Sequence, residues 1–124
     1  GCVLISESGE EPSPAALGGR AAPRDFAGLA YFGEKLFTLE RQAHRICRRT
    51  LSNGEAELCW SFAGEALAEA RRYPPKYGMA EALWIDQDGA WIGVDNGSQT
   101  RADGEQRPLV WRFNAPKGGW SRRP

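Results

Sequence analysis

Four carboxylates, Glu7, Glu40, Glu81 and Asp95, stand at the ends of short apolar runs, and that recurrence makes them the first candidates for chemistry. Strand-end acids brought together at one place would supply the hard oxygen ligands that Ca²⁺ prefers. Like charges held close need a cation, or raised pKa values, to be tolerated. A phosphate ester could then be held on the metal, with metal-bound water as the nucleophile. On this reading Glu40 and Glu81 are the catalytic acids, and Arg41, directly after Glu40, grips phosphate or carboxylate bidentately. Glu7, Glu40, Glu81 and Asp95 hold the ion. The plainer alternative is that each acid accepts hydrogen bonds from backbone N–H groups and orders its own turn.

Other constellations are weaker. Asp95-Asn96-Gly97 with Asp103-Gly104-Glu105 is acidic and amide-rich, but its spacing is not an EF-hand, and ordinary turns have this composition. Arg45, Arg48, Arg49, Arg71, Arg72, Lys76 and Arg101 are further candidates for anion binding, with Arg48-Arg49 expected on a solvated outer strand. The single histidine, His44, falls on that strand too, away from the acids, and is expected to be structural or solvent-facing. One histidine and no G-x-S-x-G elbow argue against a serine esterase mechanism. Cys2, Cys47 and Cys59 form no CxxC pair or Cys/His cluster, so zinc is not expected.

The elements that must position these groups are short strands. Residues 1–7 read as one strand, and Ser8 to Arg24 as a Gly/Pro/Ala/Ser loop. Then come Ala27–Phe32, a tight Gly33-Glu34 turn, Lys35–Glu40, Ala43–Arg49, an Asn53-Gly54 hairpin signal and Ala56–Phe62. If that hairpin loop is Ser52-Asn53-Gly54, Cys47 and Cys59 face each other within disulfide reach. A two-residue loop would bring Arg48 opposite Cys59 instead. Gly64–Arg72 is helix-like and stops before Tyr73-Pro74-Pro75.

Met79 to Asn96 then repeats Phe26 to Arg41. Leu29 aligns with Leu83, Tyr31 with Ile85, Leu36 with Trp91, Leu39 with Val94 and Glu40 with Asp95, given one extra residue in a second turn, Gln87-Asp88-Gly89. Pro108–Asn114 matches the third strand, and a Gly/Pro-rich basic tail follows. Four strands joined by tight turns over about forty residues are the size of one β-propeller blade. The reading is an all-β chain, a partial β-propeller of about two four-stranded antiparallel blades. Residues 1–7 would be a strand of a preceding blade, 25–62 a complete blade and 80–114 a partial one, all in a single unit over 1–124. Two blades cannot close a ring, so self-association or missing neighbours is expected. The five tryptophans suit inter-blade packing, with Trp120 in an exposed tail.

The segments DFAGLAYFGEKLFTLER, YGMAEALWIDQDGAWIGVDN and RADGEQRPLVWRFNAP, together with CVLISESG, resemble the phytase-like family of β-propeller proteins, labelled for esterase-like activity of phytase. The resemblance runs from Asp25 to Phe113. Family members commonly carry an acid-Gly-Leu step in the innermost strand; here Ala27 stands at the acid in the first copy and Ala82 at the glycine in the second. The resemblance implies a propeller, loosely an ester hydrolase, and export.

Composition narrows the classes. The 124 residues suffice for one modest core. Lys plus Arg equals Asp plus Glu, 16 each, so no overall field favours nucleic acid, and no apolar run is long enough to span a bilayer. The chain opens on a strand-like run without Met, which is read as missing N-terminal sequence. The expected function is a calcium-assisted hydrolase of phosphate or other esters, periplasmic or secreted. The alternatives are a non-catalytic propeller module binding a ligand or protein partner, or an inactive fragment.

Overall fold

Short runs of β-branched and aromatic residues, punctuated by Gly- and Asp-containing turns, fold as antiparallel strands. A computed structural model of the chain describes residues 8–124; the expected strand at 1–7, with Glu7, lies outside them. β1 (Glu10–Pro12) and β2 (Ala21–Pro23) form a small hairpin. β3 (Phe26–Phe32), β4 (Lys35–Glu40), β5 (Arg45–Arg49) and β6 (Ala56–Ser61) cross a four-stranded sheet in sequence order. β7 (Ala80–Ile85), β8 (Gly89–Val94) and β9 (Leu109–Asn114) form a three-stranded one. The architecture is mostly β with antiparallel sheets, and the described sheets do not close into a ring.

The two larger sheets repeat one register. Phe26 pairs with Glu40 as Ala80 pairs with Val94, and Tyr31 with Leu36 as Ile85 with Ala90, 54 positions apart in each case (80 minus 26). The extra residue expected in the second turn is therefore not there. Both turns have two residues, Gly33-Glu34 and Gln87-Asp88, since Asp86 N–H donates to Gly89 O at 3.0 Å. They differ in kind. Gly33 and Glu34 both have positive φ, as a type I′ turn requires. In the second turn the Asp86 carboxylate accepts from the N–H groups of Asp88 and Gly89. A consequence is that Glu40 corresponds to Val94, and Arg41 to Asp95. Both first strands also bulge at the same point, leaving Ala27 in one sheet and Glu81 in the other as the extra residue.

The β5–β6 connection also departs from expectation. Its loop is Leu51–Gly54, four residues closed by Thr50 N–H to Glu55 O at 2.9 Å, and a bulge leaves Glu57 unpaired. Loop and bulge together put Cys47 opposite Cys59, and the two are joined by a disulfide with Cα atoms 4.1 Å apart. Among the described residues no helix is long and apolar enough to cross a membrane.

The core lies between the sheets. Phe37, Leu39 and Ile46 meet Ile85, Ala90 and Ile92, with Phe62 and Trp120 closing the cluster. Trp120 is thus buried, not exposed: its Nε1–H donates to Asp86 O at 2.8 Å, and its ring meets Phe37 and Trp60 edge-on. Where β3 approaches β7, a Cβ on Gly28 would stand 3.2 Å from Leu83 N, so the small residue sets the spacing of the sheets. Arg48 and Arg49 are buried rather than solvated. Arg48 pairs with Glu57 at 2.6 Å and donates to the carbonyls of Trp120 and Arg122, which ties the C-terminal tail to the sheet.

Two other segments are more structured, or less, than the sequence suggests. Part of the expected loop at Ser8–Arg24 is the β1–β2 hairpin, held down because buried Glu11 accepts from Asp25 N–H and Ala43 N–H. Burial raises the Glu11 pKa, and those two donors only partly offset it. The helix-like stretch breaks into α1 (Ala63–Ala66) and a 3₁₀ turn at Glu69–Arg71, because Ala68 adopts extended backbone between them.

Candidate functional site

The acids occupy two dissimilar places. Glu40, the last residue of β4, is fully buried. Oε1 accepts from Arg49 Nη2 at 2.8 Å, and Oε2 from Arg45 Nε at 2.5 Å. Oε2 also lies 2.7 Å from Cys47 Sγ, which as a disulfide sulfur has no proton to give. Arg49 is further fixed by Thr38 Oγ1 and Gly54 O, with the Phe26 ring 4.8 Å from its guanidinium. Strand pairing dictates this knot. Arg45 and Arg49 lie on β5 beside β4, and alternation turns both toward the face that Glu40 occupies. Charge and hydrogen-bond capacity are consumed on both sides.

Glu40, Cys47 and Cys59 are the one group of metal-capable side chains whose ligand atoms cluster among the described residues. The cysteines are oxidised and the carboxylate is held by two arginines, so the cluster is a covalent and ionic staple rather than a clear metal site.

Glu81 lies elsewhere. As the bulged residue of β7 it is exposed, and one of its oxygens is held by Arg41 Nη1. Arg41 also binds Asp25, through Nε at 2.8 Å and Nη2 at 2.7 Å to the same oxygen. Burial lowers the Arg41 pKa, but the two carboxylates outweigh it and the guanidinium is held more firmly charged than usual. Asp95, the counterpart of Arg41 in the second sheet, accepts from Gly97 N–H at 3.0 Å in an Asx turn and is exposed. Arg41, Gln42, Tyr77, Gly78, Met79, Glu81, Asp95 and Gly97 line one open cleft of about 410 Å³.

The cleft floor depends on a glycine. A Cβ at Gly78 would sit 2.0 Å from Arg41 O, so only glycine lets the connection into β7 run against the end of β4. Gly78 N–H meets Gln42 Oε1 at 3.4 Å. His44, in the turn behind this connection, has φ +51 and is buried, and burial lowers its pKa.

The structure therefore brings together Arg41, Glu81 and Asp95 from the sequence candidates and separates them from Glu40. The Asp95–Glu105 loop, read as an ordinary turn composition, is closed upon itself: Asn96 Nδ2 donates to Gln99 O and Gln106 O, Asp103 pairs with Arg101, and Glu105 with Arg107. Ca²⁺ takes six to eight oxygens. Of the four acids read as ligands, Glu81 and Asp95 border the cleft, Glu40 does not line it, and Glu7 lies outside the described residues. Asp25, Gln42, Tyr77 and Gly78 were not legible as site residues. Only the Asp-Phe step before β3 and the Tyr-Gly step before β7 marked the places. Comparison with known protein families, curated proteins and solved structures returns no match for this chain.

Proposed function

We propose that the chain is a propeller-type β module of the phytase-like kind that binds a small, hydroxyl-rich ligand in the Arg41–Glu81–Asp95 cleft without cleaving it. The constant register of the two sheets supports reading them as blades, complete over 25–62 and partial over 80–114. The observation that carries the binding reading is the division of the acids. Glu81 and Asp95 border an open cleft, while Glu40, another of the four acids read as metal ligands, is locked into two ion pairs and does not line it.

Carboxylates and an amide accept from and donate to hydroxyls, and the exposed Tyr77 ring offers an apolar face to a C–H surface. A phosphate would have to take Arg41 from its two carboxylates and lie beside Glu81 and Asp95, with like charges opposed. The Cys47–Cys59 bridge supports an oxidising compartment, periplasmic or extracellular.

Titration of ¹⁵N-labelled protein with myo-inositol and simple sugars tests this. Saturable shifts should cluster at Arg41, Tyr77, Glu81 and Asp95 and vanish in Glu81→Ala. Calcium-dependent hydrolysis of p-nitrophenyl phosphate, lost in Glu81→Gln, would overturn the binding reading in favour of an esterase.

A further inference from the structure

Leu29, Tyr31, Trp84 and Val110 are 61%, 64%, 66% and 63% exposed, the highest values among the large apolar residues described as exposed. Their positions in the repeat are not random. By register, Leu29 and Tyr31 correspond to Leu83 and Ile85, and Trp84 and Val110 to Ala30 and Ile46. All four of those counterparts pack in the interface between the two sheets. Inside the chain, the Ala30–Ile46 side of the first sheet mates with the Leu83–Ile85 side of the second. Exposed among the described residues are Leu29 and Tyr31 on the first sheet and Trp84 and Val110 on the second, at positions equivalent to those two mating sides.

We propose that the chain associates head to tail with a second copy of itself. β3 of one copy (Leu29, Tyr31) seats against β7–β9 of the next (Trp84, Trp91, Val110, Arg112), repeating between chains the part of the sheet-on-sheet contact that Leu83 and Ile85 make within one. A partner for the Trp84 side must present a surface equivalent to Leu83–Ile85, and this chain already carries that surface at Leu29–Tyr31. On the first sheet the contact is confined to β3, because Thr38, Cys47 and Arg49 on the same face are already buried. On the second sheet Arg112 is the counterpart of Arg48; it lies over the Trp91 ring and bonds Asn114, with its guanidinium still presented outward. The two halves of the contact differ, so it is heterologous, and copies add in sequence until a ring closes or a chain grows.

Sedimentation velocity across a wide concentration range tests the proposal. Wild-type chain should assemble as concentration rises. Tyr31→Asp removes the head and Trp84→Asp the tail; each should weaken assembly about tenfold or more, as loss of an interface anchor does. Mixed together, the two variants retain one good head and one good tail and should form a one-to-one dimer that grows no further. Both residues are exposed, and far-UV circular dichroism checks the fold; Leu29→Ser is the milder head variant should Tyr31→Asp unfold. A wild type monomeric at every concentration overturns the proposal. So does a mixture that stays monomeric. Assembly abolished by Trp84→Asp but untouched by the head variants would mean that three-stranded sheets pair face to face, and overturns it too.

Discussion

Glu81 holds the repeat position of Ala27, the bulge residue beside Phe26, which pairs with Glu40, yet the two acids lead opposite lives. Glu40 ends a strand whose neighbour carries two inward arginines, so it is desolvated, paired on both oxygens and backed by a disulfide. Glu81 is the extra residue of a bulge, turned outward at a cleft, with Arg41 on one side and open space on the other. The first sheet has Ala27 at the bulge and the second has Val94 at the strand end, so neither sheet carries both acids. An acid at the end of a strand is thus a different chemical object depending on whether the ladder or the bulge presents it. The ladder aims it at cross-strand partners. The bulge aims it at solvent and at Arg41.

The largest test of that contrast is to remove each carboxylate. Glu40→Ala leaves the buried Arg49 without its counter-ion and should cost about 3–5 kcal/mol of unfolding free energy. Glu81→Ala should cost less than about 1 kcal/mol, because its ion pair is exposed. Urea denaturation measures both, and equal losses would erase the distinction. Next in size, Cys47→Ser with Cys59→Ser opens a bridge spanning 12 residues and should cost about 2–3 kcal/mol. That loss should leave the ¹H–¹⁵N resonances around Glu81 in place.

Arg41→Ala should cost about 1 kcal/mol, since Asp25 and Glu81 regain water when it leaves. Its main effect belongs to the cleft, where shifts of the Glu81 and Asp95 resonances report it. The smallest effect concerns His44. Its folded pKa is depressed from the usual 6.5, so the stability it confers is present above that value and is lost as pH falls through the folded pKa. His44→Asn, which also suits the positive φ at this position, should flatten the decline of melting temperature below about pH 6.5. An unchanged decline would assign it to other groups.

Much of this arrangement was legible in the residues. Alternation and turn chemistry placed β3, β4, β5 and β6, and the repeat from Phe26 to Asn96 anticipated the second sheet. Register was harder, because it rests on turn geometry and not on turn composition. Asp86 closes a two-residue turn with its side chain, which in sequence looks like three residues, and this shifted Glu40 onto Asp95 when its true counterpart is Val94. Likewise the bulge at Glu57 cannot be seen in composition, yet it sets Cys47 against Cys59 with a four-residue loop. Burial of Arg48 and Trp120 depended on contacts that join the last residues to the sheets, beyond any local pattern, and burial of Arg49 on its cross-strand partners Thr38 and Glu40. The cleft depended on Gly78 passing Arg41, a close approach that no periodicity encodes.

The most direct measurement is thermal unfolding of the wild-type chain by tryptophan fluorescence, in calcium and again in chelator. With Glu40 held by two arginines and Glu81 by Arg41, the melting temperature is expected to be the same in both. A transition raised by calcium through linkage of binding to stability, and returned to the chelator value by Glu81→Gln, would contradict the separation of the two acids on which the account rests.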